Sequence, residues 1–276
     1  NITLKNALRF PKRSTIFADL NIAEDPYFKL GFHSGLSQKF KYGTDLSMTN
    51  LFMNQYYDKT INNSYSVQDN RIDLFIEYMP TLERQFRIGV IGNYVHLRDN
   101  LVHVVDADNY DFIAHAYLNY RIDNENSPTF VSRGWKLNLN GKYIVPFIEL
   151  ENGSKMKPSI ILRADFDGAI AIGRNHSLKL GATIGSSILN NEVPLSYQFF
   201  VGGQSQMKYF DNIISFEGLR FTQLYGDHIA IGKISWQYNF YGNLYAIANF
   251  NGGYITSNYS EWFNSESFVF GGGLTL

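Results

Sequence analysis

Cysteine is absent from the 276 residues, which excludes disulfide frameworks and thiolate metal sites and suits many proteins of the bacterial envelope. No run of about 18 apolar residues occurs, and mean hydropathy is -0.21. No helix is therefore expected to cross a membrane, whereas a strand barrel stays open, because only alternate residues of a strand face lipid. Charge is scarce and balanced, with 18% charged residues and a net charge of -1, so nothing favours nucleic acid or an electrostatic membrane patch. No G-x-S-x-G elbow is present, so hydrolase chemistry built on that turn is not in these residues. The six histidines lie apart, none two or four residues from another, and neither a metal nor a cofactor is expected. Asp106-x-Asp108 beside His103 reads as polar turn chemistry before it reads as a cation site. The chain opens on Asn1 without a methionine or a signal peptide. It is read as a processed product, a domain of something longer, or part of one.

Aromatic residues, by contrast, are abundant at 16%, with 19 Tyr and 22 Phe. A barrel in a bilayer uses rings on its apolar belt and at both water interfaces. Residues 229–240 alternate without a break, with Ala230, Gly232, Ile234, Trp236, Tyr238 and Phe240 opposite Lys233, Ser235, Gln237 and Asn239. The turn Tyr241-Gly242-Asn243 follows, and Leu244, Ala246, Ala248 and Phe250 resume the apolar face. The same period runs through 14–22, 27–36, 42–56, 64–79, 84–98, 109–122, 134–147, 158–172 and 176–188, with a doubtful first strand at 2–10.

Each segment assigns two faces. Arg71, Asp73, Glu77, Arg87, Asp111, Arg121, Lys136, Lys142, Arg163, Asp165 and Lys233 fall on the polar, lumen-facing side. Trp135, Leu137, Leu139, Ile160, Leu162, Ile234 and Trp236 fall on the apolar, lipid-facing side. The strands are about 10 residues or longer, enough to cross a bilayer at a tilt, and several apolar stripes end in rings, such as Trp135 with Phe147. Shorter strands without terminal rings would have indicated a soluble β-sandwich. The expectation is one all-β domain over 1–276, a transmembrane antiparallel β-barrel of about 14 visible strands. Polar loops are expected at 58–63, 99–108, 123–134, 149–157 and 257–266. The irregular stretch 204–227 carries Phe210, Ile213, Ile214 and Phe216. It is too apolar to wave in water and is expected to fold into or over the barrel mouth.

Phe199-Phe200-Val201-Gly202-Gly203, Phe216-Glu217-Gly218-Leu219 and Leu224-Tyr225-Gly226-Asp227 resemble a motif series found in a known superfamily. It is the barrel domain shared by outer-membrane assembly factors, two-partner secretion transporters and patatin-like outer-membrane autotransporters, and the chain is most similar to the patatin-like branch. The resemblance singles out Gly202, Gly203, Phe216, Glu217, Gly218, Gly226 and Asp227 as the loop motif. It implies an outer-membrane barrel that anchors, and in one version exports, an N-terminal patatin-like phospholipase domain outside these residues. A further implication is about 16 strands, with a final hairpin missing here. In the assembly and secretion branches an arginine occupies the position of Glu217 and reaches into the lumen. If Glu217 enters the lumen it should sit near a cation such as Lys233 or Arg163; otherwise it is solvated.

Gly271-Gly272-Gly273 precedes no helix and is no phosphate cradle. Gly271-x-x-Leu274-x-Leu276 resembles a C-terminal barrel-assembly signal. His33 and Ser34 are neighbours on a strand, point to opposite faces and are not expected to meet. The alternatives are a stand-alone porin or solute channel and a barrel lipid hydrolase. Expected partners are outer-membrane lipids, the barrel-assembly machinery and a second copy or another envelope protein, without nucleic acid. An incomplete last hairpin would leave an edge open to such pairing.

Overall fold

The computed structural model describes residues 2–10, 14–22, 26–57, 60–99, 109–127, 130–147, 156–189, 193–203, 210–242, 244–261, 264 and 267–276. His103, Asp106 and Asp108 lie outside the described residues. The strands are β1 (Ile2–Phe10), β2 (Ser14–Ile22), β3 (Tyr27–Gly35), β4 (Phe40–Tyr57), β5 (Thr60–Thr81), β6 (Arg84–Asp99), β7 (Asn109–Asp123) and β8 (Gly134–Pro146). They continue as β9 (Ser159–Ile172), β10 (His176–Ile188), β11 (Phe199–Val201), β12 (Ile213–Ile214), β13 (Leu224–Gly226), β14 (His228–Tyr241), β15 (Leu244–Thr256) and β16 (Phe268–Thr275). Thirteen of them form one sheet in chain order, β1 to β10 followed by β14 to β16, and β12-β11-β13 form a separate small sheet. Among the described residues the main sheet has 13 strands, against about 14 counted from the sequence, and Phe199–Val201 belongs to the small one. The loop expected at 58–63 is also shorter, since residues 60–63 belong to β5.

By internal packing the chain divides into two units. The first comprises residues 1–119, 141–160 and 194–196, and the second comprises residues 120–140, 161–193 and 197–276. In the first unit the registers of β4, β5 and β6 set their side chains in rows. On one face these are Phe40/Tyr78/Phe86, Tyr42/Ile76/Ile88, Thr44/Leu74/Val90, Leu46/Ile72/Gly92, Met48/Asn70/Tyr94 and Asn50/Gln68/His96. This face is exposed: Ile72, Leu74 and Ile76 are each more than 50% accessible. The opposite face holds Asp45, Asp69 and Glu77, all 5% accessible or less. A water-soluble sheet hides its apolar face and wets its polar one; here the arrangement is inverted, as a lipid solvent requires.

The apolar rows are bounded. Phe40 stacks on Tyr78 with centroids 4.6 Å apart and Tyr78 on Phe86 at 6.3 Å, next to the short turn at 82–83. Eight residues further along, Met48, Asn70 and Tyr94 mark the other limit, about 26 Å away along the strand. At the ~35–45° tilt of barrel strands this spans roughly 20 Å along the membrane normal, within the ~25 Å apolar band of such proteins. The second unit repeats the boundary, with His176 stacked on Tyr238 at 4.5 Å and on Trp236 at 5.6 Å beside the turn at 173–175.

The buried face is less uniformly polar than the alternation implied. Leu51, Val67, Val95, Ile113 and Ile144 sit on it, each 1% accessible or less. They extend the inward stripe of charged residues into an apolar layer, which a reading that sorted each strand into one oily and one wet face passes over.

Candidate functional site

The loop motif builds the small sheet of the second unit. Phe200 pairs with Ile213 and Val201 with Ile214 in parallel, and Phe199 pairs with Gly226 antiparallel. A bridge joins Gly203 to Phe216, the Phe216 N–H donating to the Gly203 carbonyl at 2.9 Å. Phe199, Phe200, Val201, Phe210, Ile213, Ile214 and Phe216 are all buried, so the apolar content of the stretch is used as a core. Gly202, at φ 136°, permits the turn: a Cβ there would lie 2.0 Å from the Arg220 carbonyl oxygen. Gly185 of β10 likewise leaves room for the ring of Phe199.

The tip of this loop, Phe216-Glu217-Gly218, is seated on β15 and β16. Asn251 of β15 clasps the Glu217 backbone on both sides, its Oδ1 accepting from the Glu217 N–H at 3.1 Å and its Nδ2 donating to the Glu217 carbonyl at 3.3 Å. Asn249 Nδ2 donates to the Glu217 carboxylate at 3.3 Å. On β16 the residues facing the tip are Gly271 and Gly273, and their lack of side chains makes the seat. A Cβ on Gly271 would be 1.9 Å from the Glu217 carbonyl oxygen, and one on Gly273 would be 2.8 Å from Glu217 Oε2. The glycine run therefore makes room for the acidic residue at the loop's own tip. By the alternation Val269, Gly271, Gly273 and Thr275 share one face of β16, but nothing in the sequence says what that face meets.

Glu217 is half-buried, and among the described residues the direct partner of its carboxylate is the Asn249 amide. The Lys233 ammonium donates to Ser215 Oγ at 2.9 Å. Arg163 pairs with Asp165, two residues along β9, at 2.7 Å, and Thr183 donates to the same carboxylate at 2.9 Å. Lys136 meets Asp167 at 3.7 Å. Arg121, exposed, pairs with Asp123.

In the first unit, Glu77 accepts from Arg87 at 2.8 Å and from Gln85 at 2.5 Å, and Arg87 lies over the Phe75 ring at 4.0 Å. Arg71 pairs with Asp69 and Asp73 accepts from Tyr117 at 3.0 Å, while Asp111 and Lys142 are half-buried. Asp45 collects both Lys29 and His33 at 2.8 Å. His33 is thus committed to Asp45, and Ser34 bonds Ser14 at 2.9 Å, so the two neighbours are engaged separately. Of the seven apolar residues singled out by alternation, Trp135, Leu139, Leu162, Ile234 and Trp236 are exposed, and Leu137 and Ile160 are half-buried.

Asp227 follows β13, 3% accessible, with Oδ1 lacking a partner among the described residues. Burial pushes its carboxyl up to about 6, against a smaller opposing contribution from a Gln198 hydrogen bond. A raised carboxyl contributes stability that is complete below its ordinary value near 3.8 and is lost as pH climbs through about 6. Asp227→Asn should therefore raise the melting temperature at pH 8, by on the order of 3 kcal/mol of stability, and leave it nearly unchanged at pH 3. Thermal unfolding at the two pH values checks this; equal shifts at both would refute it.

The model of the OMP85 superfamily matches residues 17–272. No curated protein sequence matches the chain. Among solved structures, BamA from Haemophilus ducreyi lacking POTRA domains 1-3 aligns with a TM-score of 0.66 and 10% identity over 88% of this chain and 52% of that one. CdiB from Acinetobacter baumannii aligns at 0.59 and 10% over 99% and 49%. CdiB from Escherichia coli aligns at 0.60 and 11% over 98% and 51%. The chain thus spans about half the length of the structures it matches. At these identities the structures speak for the fold, and the family match supplies the rest: the chain belongs to the OMP85 superfamily, as a transmembrane antiparallel β-barrel of the bacterial outer membrane.

Proposed function

We propose that this barrel is a plugged outer-membrane anchor that holds, or exports, an N-terminal patatin-like phospholipase domain lying outside these residues. The charged residues from Arg71 to Lys233 line its interior and the row from Trp135 to Trp236 meets acyl chains. The observation that carries the reading is the seat of the loop tip. A loop with its own sheet and core, clasped by Asn251 and fitted to Gly271 and Gly273, obstructs passage better than it admits it. That favours an anchor over an open porin. The patatin-like passenger is supported by the resemblance of the loop motif, and the superfamily match is compatible with it.

Planar-bilayer recordings test the plug. The intact barrel should conduct poorly, and deletion of residues 204–227 should raise unit conductance severalfold. A large conductance before deletion would overturn the plugged reading. The passenger is tested separately by translating the reading frame upstream of Asn1: a G-x-S-x-G segment in frame is expected, and its absence removes the phospholipase.

A further inference from the structure

On the exposed face of the first unit, the apolar rows open into a groove of about 370 Å³, within the range of small-ligand sites. Its floor is Gly92, the residue without a side chain in the row Leu46/Ile72/Gly92. Its walls are Phe28, Met48, Ile72 and Phe112, and its far end is Asn70 with Tyr94. Three observations decide what fills it. First, the groove is continuous with the exposed apolar rows of a membrane-embedded sheet, so the solvent reaching it is acyl chain.

Second, the groove lies at the boundary away from the short turn at 82–83, next to the polar row Asn50/Gln68/His96. Beyond that row β4 and β5 continue to Tyr57 and Thr60, and residues 100–108 link β6 to β7. Outer-membrane barrels carry short turns on the periplasmic side and longer excursions outside, which puts the groove in the outer leaflet.

Third, Asn70 points onto this apolar face with one weak bond, its Nδ2 donating to the Tyr94 carbonyl at 3.5 Å. Its Oδ1 has no hydrogen-bond partner among the described residues. An acceptor at the edge of the hydrocarbon favours a ligand that brings it a donor. Phospholipid esters offer none at that depth; the 3-hydroxyl and amide N–H groups of lipid A acyl chains do.

We propose that the groove is a binding site for one 3-hydroxyacyl chain of lipid A, with the chain lying over Gly92 and its hydroxyl or amide donating to Asn70 Oδ1. This rests on the reading that the exposed face meets acyl chains and is independent of the passenger. The site is testable without harming the fold, because a Cβ on Gly92 would meet only the Phe112 ring, at 3.8 Å.

Protein purified from outer membranes in mild detergent should retain lipid A in native mass spectra. Gly92→Leu, which fills the groove, should lower that retention about tenfold at unchanged melting temperature. Asn70→Leu should lower lipid A retention while leaving phospholipid retention as it was. Lipid A bound equally by the unaltered protein and Gly92→Leu would overturn the site, as would retention of phospholipid alone, although the latter leaves the lipid-facing reading intact. Retention of neither lipid class by any of the three would sink the site and the lipid-facing reading together.

Discussion

Gly271→Val should expel the loop tip from its seat while the strands stay in place. The added side chain would start 1.9 Å from the Glu217 carbonyl oxygen and 3.3 Å from the Phe216 ring. The first atom is backbone and has no rotamer with which to give way. Either β16 moves, against its ladder with β15, or Phe216-Glu217-Gly218 leaves, against two Asn251 hydrogen bonds and the burial of one ring. The second is the weaker resistance. Losing a buried phenylalanine contact costs about 3–5 kcal/mol, and each hydrogen bond adds roughly 1 kcal/mol. The seated loop should therefore fall from near-complete occupancy to a minority. Limited proteolysis would read this as new cleavage within 204–227. Gly232→Val is the control, since a Cβ there meets only the Gly252 carbonyl oxygen at 3.9 Å. If the two variants are equally protease-resistant, the glycine seat is not what holds the loop.

Arginine placed in the middle apolar row should have the other large effect. Leu74 lies in the row Thr44/Leu74/Val90, two rows from the Phe40/Tyr78/Phe86 rings and two from Met48/Asn70/Tyr94. At the midplane of an outer-membrane barrel, Leu74→Arg should cost about 2–4 kcal/mol, whereas Gln68→Arg, in the polar row beyond the boundary, should cost about 0–1 kcal/mol. On a soluble surface an exposed leucine gives up little when replaced by arginine, usually within about 0.5 kcal/mol. Refolding into lipid vesicles with urea titration measures the difference. Equal, small costs at both positions would mean that the exposed leucine faces water.

The strands were legible because the alternation is a consequence of the solvent on each side. Ile72, Leu74 and Ile76 against Asp73 and Glu77 state the register of β5 before any neighbour is known. The loop motif was legible as a motif, and its apolar content announced that it would be covered. Other features escaped, for physical reasons. Ile113 and Ile144 sit on the wet face because the interior has an apolar layer, and a period-2 pattern says which side a residue takes but not what it meets there. The partners of Glu217 were sought in a cation or in water, yet Asn249 donates to its carboxylate while Asn251 holds its backbone N–H and carbonyl; a carboxylate can be held by an amide donor as well as by charge. The role of Gly271 and Gly273 was invisible because a glycine that makes room leaves no chemical signature of its own. Only the facing residue reveals it.

The central claim is that the exposed rows meet acyl chains and the buried rows do not. Spin labels placed singly from residue 72 to residue 77 of β5, in the barrel reconstituted in vesicles, test it most directly. Collisions with apolar oxygen should be frequent at 72, 74 and 76 and rare at 73, 75 and 77, and a polar nickel chelate should fail to reach the even positions. Access of the chelate to 72, 74 and 76 with oxygen favouring 73, 75 and 77 would contradict the account outright.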